Sequence, residues 1–267
     1  MRNKIFILSH QDDEIAVFNH IKKSVQSNDK LFIFYLTNGR IQEKESIEII
    51  ELRELETLKA LKKIGVESEN IIFLGKELET NSYELHYKLD ITFNKLSEFF
   101  NKFKNETVLY THSWEGGNVD HDSCYIITLK LMKKFSFIKL GFQFSMYNSY
   151  KMPFNFYRAF SPIKDNGPLI KFNTNLADRI KFIPILFYYK SQKKIWFGLY
   201  PILIFKMIFN RYGYLQIIEK NFKLRKPHEN NLWYEKRNFI NYNTIELLFH
   251  MLILTGTIKL MRYSTQQ

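Results

Sequence analysis

Residues 5–14 read I-F-I-L-S-H-Q-D-D-E, and the fold is decided there. Ile5, Phe6, Ile7 and Leu8 are apolar without alternation, which predicts a strand covered on both faces, as in a parallel sheet. Ser9 ends the strand, and His10, Asp12, Asp13 and Glu14 follow where a helix would begin. Two readings fit these acids. Adjacent carboxylates repel unless a cation sits beside them, so a metal is one resolution. The other is a helix cap, with Asp12 or Asp13 at the N-terminus and Glu14 in the first turn.

The pattern repeats outward from this segment. Strands are predicted over 4–8, 31–37, 71–74, 107–111 and 140–147. Helices are predicted over 14–25, 46–64, 83–103 and 120–134 between them. Strands joined by helices imply βαβ units, hence a mostly parallel sheet in an α/β, Rossmann-like three-layer sandwich. Ligands in such folds bind at the carboxyl ends of the strands. His10, Thr37-Asn38-Gly39 and His112 all stand at such ends and are expected to share one crevice.

Beyond Tyr147 the periodicity loosens. Residues 150–171 read as a loop excursion, 176–194 as a helix interrupted by Pro184, and 244–260 as a final helix. One domain is expected, with a Rossmann-like core over 1–147 and a basic, aromatic-rich C-terminal lobe over 148–267.

Composition narrows the class. The single cysteine, Cys124, excludes an intrachain disulfide and a cysteine-based zinc site, and reads as a small core residue. The four apolar residues near the start are too few for a signal-peptide core, so a cytoplasmic protein is expected. No apolar stretch reaches the ~18 residues of a membrane span. Net charge is +12, and all of the excess lies late: residues 1–135 hold 19 Lys+Arg against 21 Asp+Glu, residues 136–267 hold 20 against 6. Such a half fits an anionic partner, either a phosphorylated or acidic sugar substrate or a membrane surface. For the basic aromatic stretch 190–211 two readings stand: a buried helix pair, or helices lying on a membrane with lysine heads snorkelling. Nucleic acid is not an expected partner.

A second cluster follows the fourth strand in T-H-S-W-E-G-G-N-V-D-H-D-S, residues 111–123, which gathers His112, Asp120, His121 and Asp122 around Gly116-Gly117. With both clusters on the page, the chain resembles the LmbE/PIG-L family of metal-dependent N-deacetylases. Its first motif stands here as Ser9-His10-Gln11-Asp12-Asp13-Glu14 and its second as Asn118-Val119-Asp120-His121. Lesser matches are Thr37-Asn38-Gly39, Arg53 with Glu56 on the following helix, Tyr189-Lys190-Ser191-Gln192 and His228-Glu229. The resemblance implies metal ligands at His10, Asp13 and His121, with Asp12 as general base and Arg53 on the substrate.

It also implies removal of an acetyl group from an N-acetylated amino sugar, free, nucleotide-linked or lipid-linked. Two imidazoles and a carboxylate leave a position open for water, as catalytic zinc requires, and the same donors suit Fe(II). Gln11 replaces the family's proline, and Asn118 replaces a histidine that stabilises the oxyanion or supplies a proton. An asparagine donates a hydrogen bond but is no acid. Asp12 in both proton roles, or His112, or Asp120 beside the metal histidine, complete the catalytic candidates with Asn118. Asn38 and His228 join Arg53 on the substrate side. Asn118 also motivates an alternative, a catalytically weakened member that binds glycan or a membrane surface. A phosphotransfer receiver is excluded, because the third strand ends in Gly75 with no acceptor Asp.

Overall fold

A computed structural model describes residues 1–41, 44–209 and 212–255. Among the described residues there are nine strands: β1 (Asn3–Leu8), β2 (Lys30–Tyr35), β3 (Ile71–Ile72), β4 (Thr107–His112), β5 (Ile138–Phe144), β6 (Tyr147–Asn148), β7 (Arg158–Ala159), β8 (Leu169–Asn173) and β9 (Tyr212–Ile217). Seven of them form one sheet in the order β3-β2-β1-β4-β5-β9-β8, while β6 and β7 make a separate ladder. The first five strands run parallel, and β9 and β8 add on antiparallel. The chain winds from β1 out to β3, then returns to place β4 on the other side of β1. That reversal opens a crevice at the carboxyl ends of β1 and β4.

The helices are α1 (Phe18–Val25), α2 (Glu48–Lys62), α3 (Leu74–Glu77), α4 (Leu89–Phe100), α5 (Val119–Lys134), α6 (Leu176–Leu186), α7 (Lys193–Trp196), α8 (Tyr200–Phe209), α9 (Trp233–Lys236) and α10 (Tyr242–Thr255). β1 explains the layering. Its side chains alternate faces: Ile5 and Ile7 join the core under α4, α5 and α10, while Phe6 and Leu8 join the core under α1, α2, α6 and α8. All four are wholly buried, each contributing about 1.5–3 kcal/mol by removal from water. The α/β three-layer sandwich with a mostly parallel sheet is therefore the fold.

Several boundaries differ from the sequence expectation, each for a local reason. The helix predicted over 14–25 is split into a 3-10 turn at Asp13–Ala16 and α1, because Val17 between them leaves the helical region at φ −126° and ψ 13°. The helix predicted from 83 begins only at Leu89. The Tyr83 and Leu85 amides are engaged by the Asp120 carboxylate, and Tyr83 itself has φ 68°. The fifth strand ends at Phe144. β8, at the sheet edge, and β9, between β5 and β8, are absent from the sequence reading: Lys171 and Asn173 interrupt the one and Gly213 and Gln216 the other, so neither shows an apolar run. Within the basic stretch, α7 and α8 are not a buried pair, since Lys193, Lys194 and one side of α8 are exposed. Positions 256–260 of the predicted final helix and Arg211 of the basic stretch lie outside the described residues.

Gly75 shows how tightly the β2 end is packed. A Cβ there would stand 2.1–2.4 Å from backbone atoms of Thr37, which cannot yield without moving the strand end. Gly75→Ala is expected to lower stability by about 1–3 kcal/mol, the usual cost of overpacking, read as a fall in the urea midpoint with an unchanged slope.

Candidate metal centre and the cavity above it

The site grows from the end of β1. Asp13 Oδ2 accepts from Ser9 Oγ at 2.8 Å and from the His10 amide at 2.6 Å. That oxygen is consumed by local donors, and Oδ1 is left facing His121 Nε2 at 3.4 Å. Two ligands about 2.1 Å from a tetrahedral ion lie at about that separation. His10, Asp13 and His121 each offer a ligand atom, all within 4.8 Å of one another. The donor set and spacing therefore fit a divalent cation.

The surroundings are built to hold that trio. His10 Nε2 is 3.0 Å from Asp120 Oδ2, the carboxylate–histidine pairing that orients a metal-binding imidazole. Burial works against the charged form of His10, but Asp13 and Asp120 outweigh it and raise its pKa to about 10. Burial likewise opposes ionisation of Asp13, yet His112, His121 and His10 hold its carboxyl well below the usual range. His112 lies behind the trio, fully buried, stacked on His121 at 3.9 Å and 4°. Its Nε2 is 3.1 Å from Asp13 Oδ2.

Asp12 points another way. Its Oδ2 accepts from Trp196 Nε1 at 2.8 Å, and its Oδ1 lies 3.8 Å from the Arg53 guanidinium. Burial raises its pKa to about 6 against the pull of Arg53. The backbone at φ 146° is a conformation that L residues rarely adopt, and such strain persists where surrounding contacts enforce it. Arg53 in turn donates to the Gly39 carbonyl and, at 3.4 Å, to the Gln11 carbonyl. Gly39, at φ 79°, is required there, since a Cβ would strike Gln11 and Arg53.

On the other wall α5 begins. Asn118 is its N-cap, accepting from the Asp120 amide at 2.8 Å, and its Nδ2 donates to Tyr147 Oη at 3.3 Å. Tyr147 is fastened from behind by Glu115. That buried carboxylate accepts from the Met146 and Tyr147 amides, Ser145 Oγ and Asn148 Nδ2. Gly117 allows the approach, because a Cβ there would lie 1.8 Å from the Tyr147 carbonyl oxygen.

An open cavity of ≈ 730 Å³ sits over these groups, lined by His10, Asp12, Asp13, Arg53, Asn118 and His121 with Tyr83, Tyr147, Tyr157, Gln192, Trp196 and Leu199 among others. Six of the sequence candidates thus meet in one cavity. His112 and Asp120 stand directly behind it, against the trio. Asn38 is turned away and donates to Asn81. His228 sits against Tyr150 at 5.8 Å and does not line the cavity. Three contributors escaped the sequence reading: Trp196, Tyr147 and Glu115. A signal for Asn118 as a cap was present in N-V-D, but nothing in sequence ties Tyr147 or Trp196 to residues so distant.

The second half is tied to the first at this point. Tyr189 Oη donates to the buried Glu14 at 2.5 Å. Ser191 donates to Glu56 through both its hydroxyl and its amide. Burial pushes Glu14 up to about 8, with the Tyr189 bond pulling the other way.

Residues 5–132, just under half of the chain, match the model of the PIG-L family, GlcNAc-PI de-N-acetylase. The sequence has no match among curated proteins. Among solved structures, N,N'-diacetylchitobiose deacetylase from Pyrococcus horikoshii in complex with its inhibitor MPG is similar at 14% identity and TM-score 0.60, over 85% of this chain and 87% of that one. A deacetylase triple mutant from the teicoplanin biosynthetic pathway gives 12% identity and TM-score 0.58, over 83% and 100%. The A40926 pseudoaglycone deacetylase gives 13% and 0.56, over 82% and 98%. At these identities the structural likeness carries the fold. Residues 5–132, the segment that contains both motifs, are similar to the PIG-L (LmbE-like) family.

Proposed function

We propose that the protein is a metal-dependent N-deacetylase that hydrolyses the acetamide of an N-acetylated amino sugar. The observation that carries this reading is the convergence of His10, Asp13 and His121 on one cavity, with a separate, ionisable carboxylate, Asp12, at its edge. The match of residues 5–132 to the PIG-L family and the deacetylase names of the structural neighbours support it. In this reading residues 148–255 belong to the same domain and supply part of the cavity wall, including Gln192, Trp196 and Leu199.

The trio would hold the ion, with zinc and Fe(II) both suited to it, and a bound ion would supply Lewis acidity for the amide carbonyl and a more acidic water. The remaining chemistry belongs to the chain. Asp12 has both oxygens outside the trio, so it is free to take the proton of the attacking water. The same carboxyl, once protonated, returns that proton to the leaving amine nitrogen. Arg53 and Trp196 fix its position and keep it ionisable. Asp120 and His112 position His10 and Asp13 rather than touch substrate.

Asn118 finds its complement in Tyr147. The phenol oxygen accepts from Asn118, so its own proton is left to donate. Asn118, with Nδ2 so engaged, and Tyr147 together place a donor beside His121, where a developing oxyanion needs one. That pairing answers the alternative of a weakened, glycan-binding relative. Arg53 is the one Lys or Arg lining the cavity among the described residues. The basic excess of the second half therefore lies elsewhere than around the reacting group.

Three outcomes are expected. Acetate release from a panel of N-acetylglucosamine compounds, with metal content measured in parallel, should separate two classes of variant. His121→Ala loses metal and activity together, whereas Asp12→Asn keeps metal and loses at least about 10²-fold in kcat; near-normal turnover by the latter would refute Asp12 as base. Tyr147→Phe should lower kcat by about 10²-fold with metal content and KM little changed, as for loss of one oxyanion donor. Trp196→Phe removes a hydrogen bond that favours ionised Asp12. The base is active when ionised, so the acidic limb of the kcat/KM profile, near pH 6 from the value of about 6, should move to higher pH.

A further inference from the structure

Helix α8 is apolar on its exposed side as well as on the side that Leu203 buries. Its exposed residues are Pro201, Ile202, Phe205, Ile208 and Phe209, all apolar. Their spacing traces one stripe of a helix, with Phe205 62% and Phe209 68% exposed. Its single lysine, Lys206, turns inward to the Ala159 carbonyl. Helix α6, packed beside it, repeats the pattern with exposed Leu176, Ile180, Pro184 and Phe187. Phe187 meets Tyr200 at 5.2 Å, which joins the two stripes, and Phe197 stands 80% exposed in the connection. An apolar surface this continuous marks a contact site, since scattered exposure on ordinary surfaces does not align on adjacent helices.

Charge selects the partner. Between positions 179 and 218 the sequence holds seven Lys or Arg and no Asp or Glu. Lys181, Lys190, Lys193 and Lys194 are exposed around the stripe. A second copy of this face would set cations against cations, which opposes self-association. An anionic bilayer takes both features: apolar side chains enter the boundary between headgroups and acyl chains, and lysines reach the phosphates. No helix among the described residues is long and apolar enough to cross a membrane, and the contact drawn here is made by the exposed side chains of one helical face. We propose that the outward face of α6 and α8 docks on an anionic lipid surface. The same hairpin lines the cavity through Gln192, Trp196 and Leu199, which sets the docked face beside the cavity mouth.

The test is co-sedimentation of the full chain with vesicles of phosphatidylcholine alone and of phosphatidylcholine mixed with phosphatidylglycerol. Binding to the anionic vesicles is expected, falling with added salt. It should drop at least tenfold for Phe205→Ser/Phe209→Ser and for Lys193→Glu/Lys194→Glu, with circular dichroism unchanged in both. Failure of wild type to bind the anionic vesicles, or undiminished binding by the aromatic variant, overturns the proposal. So does a concentration-dependent oligomer, seen by sedimentation velocity and removed by the aromatic substitutions, in place of vesicle binding. Acetate release in free solution is independent of all these outcomes, so the deacetylase reading stands or falls separately.

Discussion

The structure depends on one carboxylate, Asp13, buried at the point where the sheet reverses its winding. A lone carboxylate in such a place is costly. Here the cost is met by three imidazoles, a serine hydroxyl and a backbone amide. Those partners come from the ends of β1 and β4 and from the first turn of α5. Satisfying Asp13 therefore fixes how three elements meet. Each imidazole that approaches it must itself be oriented, and Asp120 does this for His10 while tying down the Tyr83–Leu85 backbone. The cavity floor is a polar network inside a protein core, rigid because its carboxylates are heavily occupied.

Around this floor the walls come from far along the chain. Trp196 reaches Asp12, Tyr189 reaches Glu14 and Ser191 reaches Glu56, so one short segment clamps the acidic end of β1 and the face of α2. Glu115 performs the mirror task, seizing the 145–148 backbone and presenting Tyr147 to Asn118. The replacement of histidine by asparagine in the second motif is thus accommodated by a neighbour. Asn118 caps the helix through one end of its amide and holds the phenol through the other. The hairpin that carries Trp196 to Asp12 is also the one that turns Phe205 and Phe209 to solvent.

Much of this was legible in the sequence because it is local. Uninterrupted apolar runs such as Ile5–Leu8 specify buried strands whatever lies around them. Helical periodicity specifies α2 and α5, and His10, Asp13 and His121 follow strand ends whose position topology dictates. Strand-end topology put His10, Asn38 and His112 at one crevice, whereas the roles of the motif residues came from their resemblance to the LmbE/PIG-L motifs. What tertiary structure alone decided involves partners far apart in sequence. Trp196 lies 184 positions from Asp12, and no periodicity records that pairing. Asn38 and His228 stand in promising words of sequence but point elsewhere, because side-chain direction follows from packing. The edge strand β8 was invisible because it pairs on one side and buries little, and β9 because Gly213 and Gln216 interrupt its apolar run although it pairs on both sides. The outward faces of α6 and α8 were equally hidden, since a stripe of Phe and Ile reads the same whether a core or a membrane receives it. Only the folded molecule shows which side of the helix the sheet has already covered.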